Sequence, residues 1–259
     1  MRLKLYQIDA FAKKTFEGNP AAICPLESWL DDDLMQKIAM ENNLSETAFF
    51  VKEGEKFHIR WFTPTREVDM CGHATLATAY VLFEILNYKY DKIHFSSKSG
   101  ELHVKKDEGM FVMNFPLQKL VRCTIDQSFC KAFEAEPKEC YKAMDYILVF
   151  ENEEEVIGAK PDFEKLKDID ARGVIITSKS KEYDFVCRVF APKYGIDEDP
   201  VTGSAFTQLV PYWSKVLNKN EFKAKQVSQR GGELFCRLKD KRVEIAGFAV
   251  KYLEGSIDI

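Results

Sequence analysis

The stretch RWFTPTREVDMCGHA, residues 60–74, is the part of the sequence that decides the fold. Two of its parts, RWFTP and CGHA, return in the same order in the second half of the chain as RVFAP and TGSA. A third match, GEL, follows each copy, at Gly100 and at Gly232. Each match is short, but three in one order and at nearly equal spacing indicate an internal duplication.

The spacing of the duplicated motifs predicts what each half contains. Gly72 and Gly100 are 28 positions apart, and Gly203 and Gly232 are 29 positions apart. Each half reads as a strand, a loop, a Gly-x-Ala turn, a helix and a hairpin. The predicted fold class is therefore α+β, with two pseudo-symmetric lobes of one design.

The duplication also predicts where a site would lie. We predict an N-terminal lobe over residues 1–117, which the last strand at 248–259 is expected to join, and a C-terminal lobe over 118–247. Each Gly-x-Ala turn begins a helix, and helix N-termini present unpaired N–H groups with a partial positive charge. Two of them facing one cleft between the lobes would bind a carboxylate or an enolate-like anion.

Local patterns predict several elements outside the repeat. Ser28 or Asp31 can cap a helix, and a second helix is expected across residues 126–135. Pro161 suits the first turn of a further helix. The acidic run at residues 153–155 is interpreted as a solvated loop.

Composition excludes several classes of function. The chain has 259 residues and a net charge of −4, from 37 basic and 41 acidic side chains, and lacks the basic character of a nucleic-acid binder. The start has no uninterrupted apolar segment, so no signal peptide is expected. The longest apolar stretch, residues 74–86, is broken by Glu84 and is too short to span a membrane. Seven cysteines without a spacing pattern fit free thiols in the cytoplasm.

Two residues in the first half are candidates for acid–base chemistry. Glu46 lies in LSETAFF, and a carboxylate on an apolar strand can act as a general acid or base. The alternative is an edge-strand glutamate that faces water. His73 follows Gly72 at the expected start of a helix, where it could carry a proton or donate a hydrogen bond to a substrate. The alternative is a histidine that a neighbouring carbonyl satisfies.

The corresponding turn in the second half offers Asp199 and Ser204. In the repeat, Ser204 occupies the position of His73, and Gly203 occupies the position of Gly72. Carboxylates and serines also occur at helix starts simply as caps, so a structural role stays open for both side chains.

Cysteine and metal chemistry receive less support. Cys71 could shuttle protons as a thiolate, but its counterpart Thr202 cannot, so a two-cysteine racemase is disfavoured and a buried structural cysteine is preferred. The sequence has no Walker A loop, no Rossmann GxGxxG, no HExxH and no paired CxxC. We therefore expect neither a metal nor an organic cofactor.

These motifs resemble those of the phenazine-biosynthesis F (PhzF-like) family along nearly the whole chain. The order of the motifs is far more specific than any one of them, and residues 121–180 carry little of the resemblance. The resemblance is carried by IDAFAKKTFEGNPAAICPL from Ile8, ENNLSETAFF from Glu41, RWFTPTREVDMCGHATLATA from Arg60, RVFAPKYGIDEDPVTGSA from Arg188, PYW from Pro211 and QVSQRGGEL from Gln226.

The resemblance implies a fold similar to that of diaminopimelate epimerase, in which each lobe is a mixed β-sheet wrapped around a central helix. It implies that Glu46 transfers the proton and that His73, Asp199 and Ser204 position and polarise the substrate. In the epimerase each lobe supplies a cysteine, and only Cys71 remains here.

The resemblance also implies a cofactor-independent isomerase that shifts a proton on a small carboxylic acid. The alternatives are an amino-acid racemase or epimerase, and a binding protein on an enzyme scaffold. Expected partners are the carboxylic acid and, as an open option, a second copy of the chain in a homodimer, with neither nucleic acid nor membrane. One departure from the family is Phe206, where a histidine often follows GSA.

Overall fold

The computed structural model describes residues 1–259 and divides into two compact units. The first unit comprises Met1–Asn114 and Ala246–Ile259, and the second comprises Phe115–Ile245. None of the helices has the length and apolar character that crossing a membrane requires.

The first unit is a mixed β-sheet with two helices. Its strands are β1 (Arg2–Ala10), β2 (Asn19–Leu26), β3 (Glu46–Glu53), β4 (Lys56–Phe62), β5 (Glu67–Val68), β6 (Lys92–Ser97), β7 (Gly100–Asp107), β8 (Met110–Pro116) and β18 (Ala249–Asp258). Its helices are α1 (Asp32–Asn42) and α2 (Gly72–Tyr80), and a π-helical turn (Val81–Ile85) continues α2. Strand β1 is antiparallel to both β2 and β18.

Helix α2 lies at the centre of the first unit because nearly all of its side chains are apolar or small. Its residues from His73 to Ala79 are all buried, and the helix packs against β1, β2, β3 and β18. A helix that is apolar on every side is stable only inside a core. The sequence GHATLATAY therefore predicts the burial that the structure shows.

The second unit repeats this plan around a longer helix. Its strands are β9 (Val121–Cys123), β10 (Glu139–Lys142), β11 (Tyr146–Val149), β12 (Val174–Lys179), β13 (Phe185–Ala191), β14 (Ile196–Asp199), β15 (Glu221–Gln226), β16 (Gly232–Lys239) and β17 (Arg242–Gly247). Its helices are α3 (Gln127–Phe133), α4 (Glu153–Gly158), α5 (Phe163–Lys167) and α6 (Gly203–Leu217), with a 3-10 turn at Pro192–Tyr194. Trp213 of the central helix α6 stacks on Phe185 of β13 at a centroid distance of 5.5 Å.

The pairing of strands confirms the predicted α+β fold with two lobes of one design. In the first unit β2 is parallel to β3, β3 antiparallel to β4, β4 parallel to β6, and β6 antiparallel to β7. In the second unit the same four pairings join β11, β12, β13, β15 and β16 in that order. Gly72 and Gly203 each begin the central helix of their unit. Gly100 and Gly232 each begin the second strand after that helix, which is β7 in the first unit and β16 in the second.

The structure confirms two of the helices predicted from local patterns, and it contradicts the predictions made for Pro161 and for the acidic run at 153–155. Helix α1 follows Asp31, and α3 follows Asp126, whose side chain accepts a hydrogen bond from the Ser128 N–H. Pro161 lies outside α5, because Asp162 caps that helix and its first residue is Phe163. The acidic run at 153–155 is the first turn of α4 and not a loop. Negative side chains stabilise a helix there because they interact favourably with the positive end of its dipole.

Candidate active site

Glu46 and His73 meet in the first unit. Glu46 is the first residue of β3, which lies between β2 and β4, and His73 is the second residue of α2. His73 Nε2 lies 3.1 Å from Glu46 Oε2, and only 7% and 13% of the two side chains are exposed. Glu46 is therefore not an edge-strand carboxylate facing water.

The Glu46 carboxylate keeps open capacity to bind a proton. Its Oε2 atom is buried and accepts no hydrogen bond, although His73 Nε2 is within ion-pair distance. A buried acceptor without a hydrogen bond is costly, and such groups concentrate where a ligand or a proton is handled.

Two further side chains contact the other ring nitrogen of His73. Cys71 Sγ lies 3.5 Å from Nδ1, and Asn19 Nδ2 lies 3.3 Å from it. An asparagine amide can donate or accept according to which end faces the ring, so Asn19 can serve both the neutral and the charged imidazole. Sequence reasoning missed Asn19, although it lies in the family-like segment EGNP.

Gly18 fixes the loop that presents Asn19. Its φ of +68° lies in the left-handed region, and a Cβ at this position would stand 2.1 Å from the Ala10 carbonyl oxygen. Any other residue would collide with the backbone, so only glycine permits this close approach. The Gly-Asn dipeptide was the signal that could have pointed to Asn19.

The charges around His73 favour its protonated form. Burial lowers the pKa of His73, but the neighbouring Cys71 sulfur and Glu46 carboxylate raise it, and the net direction is well upwards. Burial raises the pKa of the Cys71 thiol to about 11, so this sulfur is neutral near pH 7. The Glu46 carboxylate is then the charge that stabilises an imidazolium at His73.

The same three side chains have the donor types of a metal site. The ligand atoms of Glu46, Cys71 and His73 all lie within 4.8 Å of one another. Oxygen, sulfur and nitrogen donors in a set of three suit Zn²⁺, with a further position for water or substrate. The expectation that no metal is needed stays a prediction.

Asp199 stands at the start of α6 in the second unit. It ends β14, and its carboxylate accepts a hydrogen bond from the Thr202 hydroxyl. The Gln226 side-chain amide donates to the Asp199 carbonyl oxygen at 2.6 Å. These contacts hold Asp199 in place four residues before Gly203.

Ser204 lies beside an arginine that sequence reasoning missed. Arg172 Nη2 lies 3.3 Å from Ser204 Oγ, while Arg172 Nε donates to Asp145 at 2.8 Å. Asp145 is buried and also accepts a hydrogen bond from Gln208 at 2.6 Å. Burial opposes the charge on Arg172, but Asp145 and then Asp199 raise its pKa. Arg172 lies in the part of the chain with little family resemblance, so no motif marked it.

Phe206 belongs to the core. It is fully buried and packs against Phe185 at a centroid distance of 5.9 Å. The departure from the family pattern therefore falls on the buried face of α6, and Ser204 on the preceding turn keeps its polar contact.

The structure thus brings the candidate residues into two groups. In the first unit Glu46, Cys71 and His73 are in contact at the turn that contains Gly72. In the second unit Asp199 and Ser204 flank the start of α6 at Gly203. No side chain makes a capping hydrogen bond at the start of α2 or of α6, which leaves their first N–H groups available.

The duplicated α+β fold is shared with solved proteins of the epimerase-like fold. A solved hydroxyproline epimerase from Agrobacterium vitis covers 99% of this chain with a TM-score of 0.65 and 9% identity, over 91% of its own length, and shares the fold alone.

Comparisons of sequence identify the family, which is a narrower statement than the shared fold. The family model "Phenazine biosynthesis-like protein" matches residues 8–255. A crystal structure of an Enterococcus faecalis protein of the phenazine biosynthesis PhzF family has a TM-score of 0.98, 47% identity and full coverage of both chains. An uncharacterized isomerase of Pseudomonas aeruginosa is 44% identical over the full length of both chains. The chain belongs to the phenazine biosynthesis-like family, and it is an isomerase.

Proposed function

We propose that this isomerase moves a proton between carbon atoms of a small carboxylic acid, with Glu46 as the acid–base group and without a cofactor. The observation that carries the proposal is the buried contact between Glu46 Oε2 and His73 Nε2 at 3.1 Å. A group that must take and return a proton needs a free lone pair and a neighbour that compensates the change in charge.

The reaction needs two proton transfers at Glu46. The carboxylate first removes a proton from a carbon next to an activating group, and the C–H electron pair stays on the substrate as an enolate-like anion. The protonated Glu46 then returns the proton to a different carbon of that anion, which restores the carboxylate. No redox step occurs, so side chains alone can run the cycle.

His73 is proposed to hold the charge balance. Burial lowers the pKa of His73, but its neighbours, among them the Glu46 carboxylate, raise it well above the ordinary value, which favours the charged ring. An imidazolium at 3.1 Å compensates the negative charge of the Glu46 carboxylate. It also stabilises negative charge that develops on the substrate.

The anion is proposed to bind at helix starts. The N–H groups after Gly72 and after Gly203 have no side-chain cap, and helix N-termini attract carboxylates. Asp199 and Ser204 are proposed to position the substrate, with Arg172 as a further cation next to Ser204.

The unpaired cysteines also support a proposal about the cellular compartment. All seven cysteines are unpaired, which fits a reducing compartment, and we propose the cytoplasm.

Deuterium exchange tests the function. Purified protein is incubated in D₂O with a panel of small unsaturated or cyclic carboxylic acids, and each acid is analysed by NMR. A shifted double bond is the expected result, with deuterium at the new carbon wherever the protonated Glu46 exchanges with solvent before it returns the proton. Exchange with inversion at one carbon would instead identify a racemase or epimerase, and no exchange across the panel would favour a binding protein.

A further inference from the structure

A pair of cysteines in the second unit lies outside the site described above. Cys123 on β9 and Cys140 on β10 are directly opposite each other in the antiparallel register. Opposed residues in such a pair have Cα atoms about 4.5 or 5.5 Å apart, and disulfides span Cα separations of about 4.4–6.8 Å. The two side chains also leave the same face of the sheet. The backbone therefore has the spacing that a disulfide needs.

The two thiols are in contact but differ in exposure. They interact electrostatically, and both pack on the core cluster that contains Phe129 and Leu148. Cys140 is buried, whereas Cys123 is half-buried, so a reagent from solvent reaches Cys123 first. None of the other cysteines faces a second cysteine across neighbouring strands in the paired registers.

We propose that Cys123 and Cys140 form a reversible disulfide when the protein meets a small-molecule disulfide such as oxidised glutathione. The Cys123 thiolate attacks one glutathione sulfur, forms a mixed disulfide and releases one glutathione. Cys140 then attacks the Cys123 sulfur, displaces the second glutathione and closes the protein disulfide. The protein gives up two protons and two electrons, and the glutathione disulfide takes them up as two thiols.

The second step is expected to be the slow one. Burial is the largest cause that raises the pKa of Cys140, and it still acts when Cys123 carries glutathione. Little of Cys140 is thiolate at pH 7, and the thiolate is the attacking species. Closure should therefore accelerate about tenfold for each pH unit over the range below that pKa.

Peptide mapping after oxidation tests the proposal. The native protein is incubated with oxidised glutathione, quenched with N-ethylmaleimide, digested and analysed by mass spectrometry. The expected product is a peptide that links Cys123 to Cys140, lost again on treatment with dithiothreitol. Because the link encloses α3 and restricts the unfolded chain, the oxidised protein should also melt several degrees higher.

Three variants separate the steps. Cys123→Ser should prevent both the link and glutathionylation at this site. Cys140→Ser should stop at the mixed disulfide on Cys123. Cys130→Ser is the matched control, because Cys130 lies on α3 between the two strands, and it should leave the link intact.

Two results would overturn the proposal. One is a wild-type protein that keeps Cys123 and Cys140 as thiols in oxidised glutathione at pH 9. The other is a link from either residue to a different cysteine. Both are read from the wild-type protein, so the outcome stands even if a serine variant fails to fold.

Discussion

The two central turns of the molecule share a frame and differ in chemistry. Arg60 donates through Nε and Nη2 to both Glu67 oxygens at 2.7 and 2.9 Å, and Arg188 donates to Glu198 with the same two distances. Each glutamate lies five residues before the glycine that begins the central helix. Duplication thus preserved an arginine–glutamate clamp that fixes each turn.

The catalytic candidates are not preserved in the same way. Phe62 and Phe190 occupy the same position in the repeated motifs RWF and RVF. Thr47 pairs with Phe62, and Val174 pairs with Phe190. Gly173, the residue before Val174, therefore occupies the position that Glu46 has in the first unit. His73 corresponds likewise to Ser204. The comparison teaches that the frame is structural in both units, whereas an acid–base pair is present in the first unit alone.

Glu46→Gln tests the acid–base side of the comparison and should have the largest effect. The amide keeps the size of the side chain but cannot exchange a proton, so we expect kcat to fall at least roughly 10²-fold while ligand binding persists. Turnover and deuterium exchange are measured together. Glu53→Gln, on the exposed end of the same strand, is the control and should behave like wild type. Exchange by Glu46→Gln at the wild-type rate would end this mechanism.

Removing the arginine should lower the free energy of unfolding more at the second clamp than at the first. Arg188→Met leaves Glu198 half-buried without another cation, and we expect a loss of about 3 kcal/mol of unfolding free energy. Arg60→Met should cost about 1–2 kcal/mol, because Lys98 still pairs with Glu67. Urea unfolding measures both. Adding Glu198→Leu to Arg188→Met should recover part of the loss, and equal costs for the two single variants would contradict the prediction.

The first turn should make stability depend on pH. A folded-state pKa of His73 above its ordinary value of 6.5 means that the stabilisation is complete below about pH 6.5 and is lost as pH rises through the raised value. Each unit of upward shift corresponds to about 1.4 kcal/mol. Urea unfolding of wild type and His73→Gln between pH 6 and 10 should show their difference shrink with rising pH. A constant difference would argue against a charged ring.

Chelation should have the smallest effect. If the reaction runs on side chains, treatment with EDTA and dialysis leaves kcat unchanged. Activity that disappears and returns with Zn²⁺ alone would show that Glu46, Cys71 and His73 hold a metal after all.

The sequence could predict features that depend on neighbouring residues in the chain, but not those that depend on contacts between distant residues. The repeat located both central helices, since a Gly-x-Ala turn before small apolar residues is a local signal. It could not show that Glu46 and His73 meet, because they are 27 positions apart and only the packing of α2 against β3 brings them together. Asn19 and Arg172 escaped notice for the same reason: each matters through a neighbour far along the chain.

The pairing of β1 with β18 has a consequence for synthesis on the ribosome. Within residues 1–259, β1 is translated before every other strand, and β18, which covers its second edge, is translated after every other strand. The first unit therefore carries an open, aggregation-prone edge throughout translation, whereas every strand of the second unit precedes β18 in the chain. The order of folding should reverse the order of synthesis: the second unit can be complete while the first still waits for its final strand.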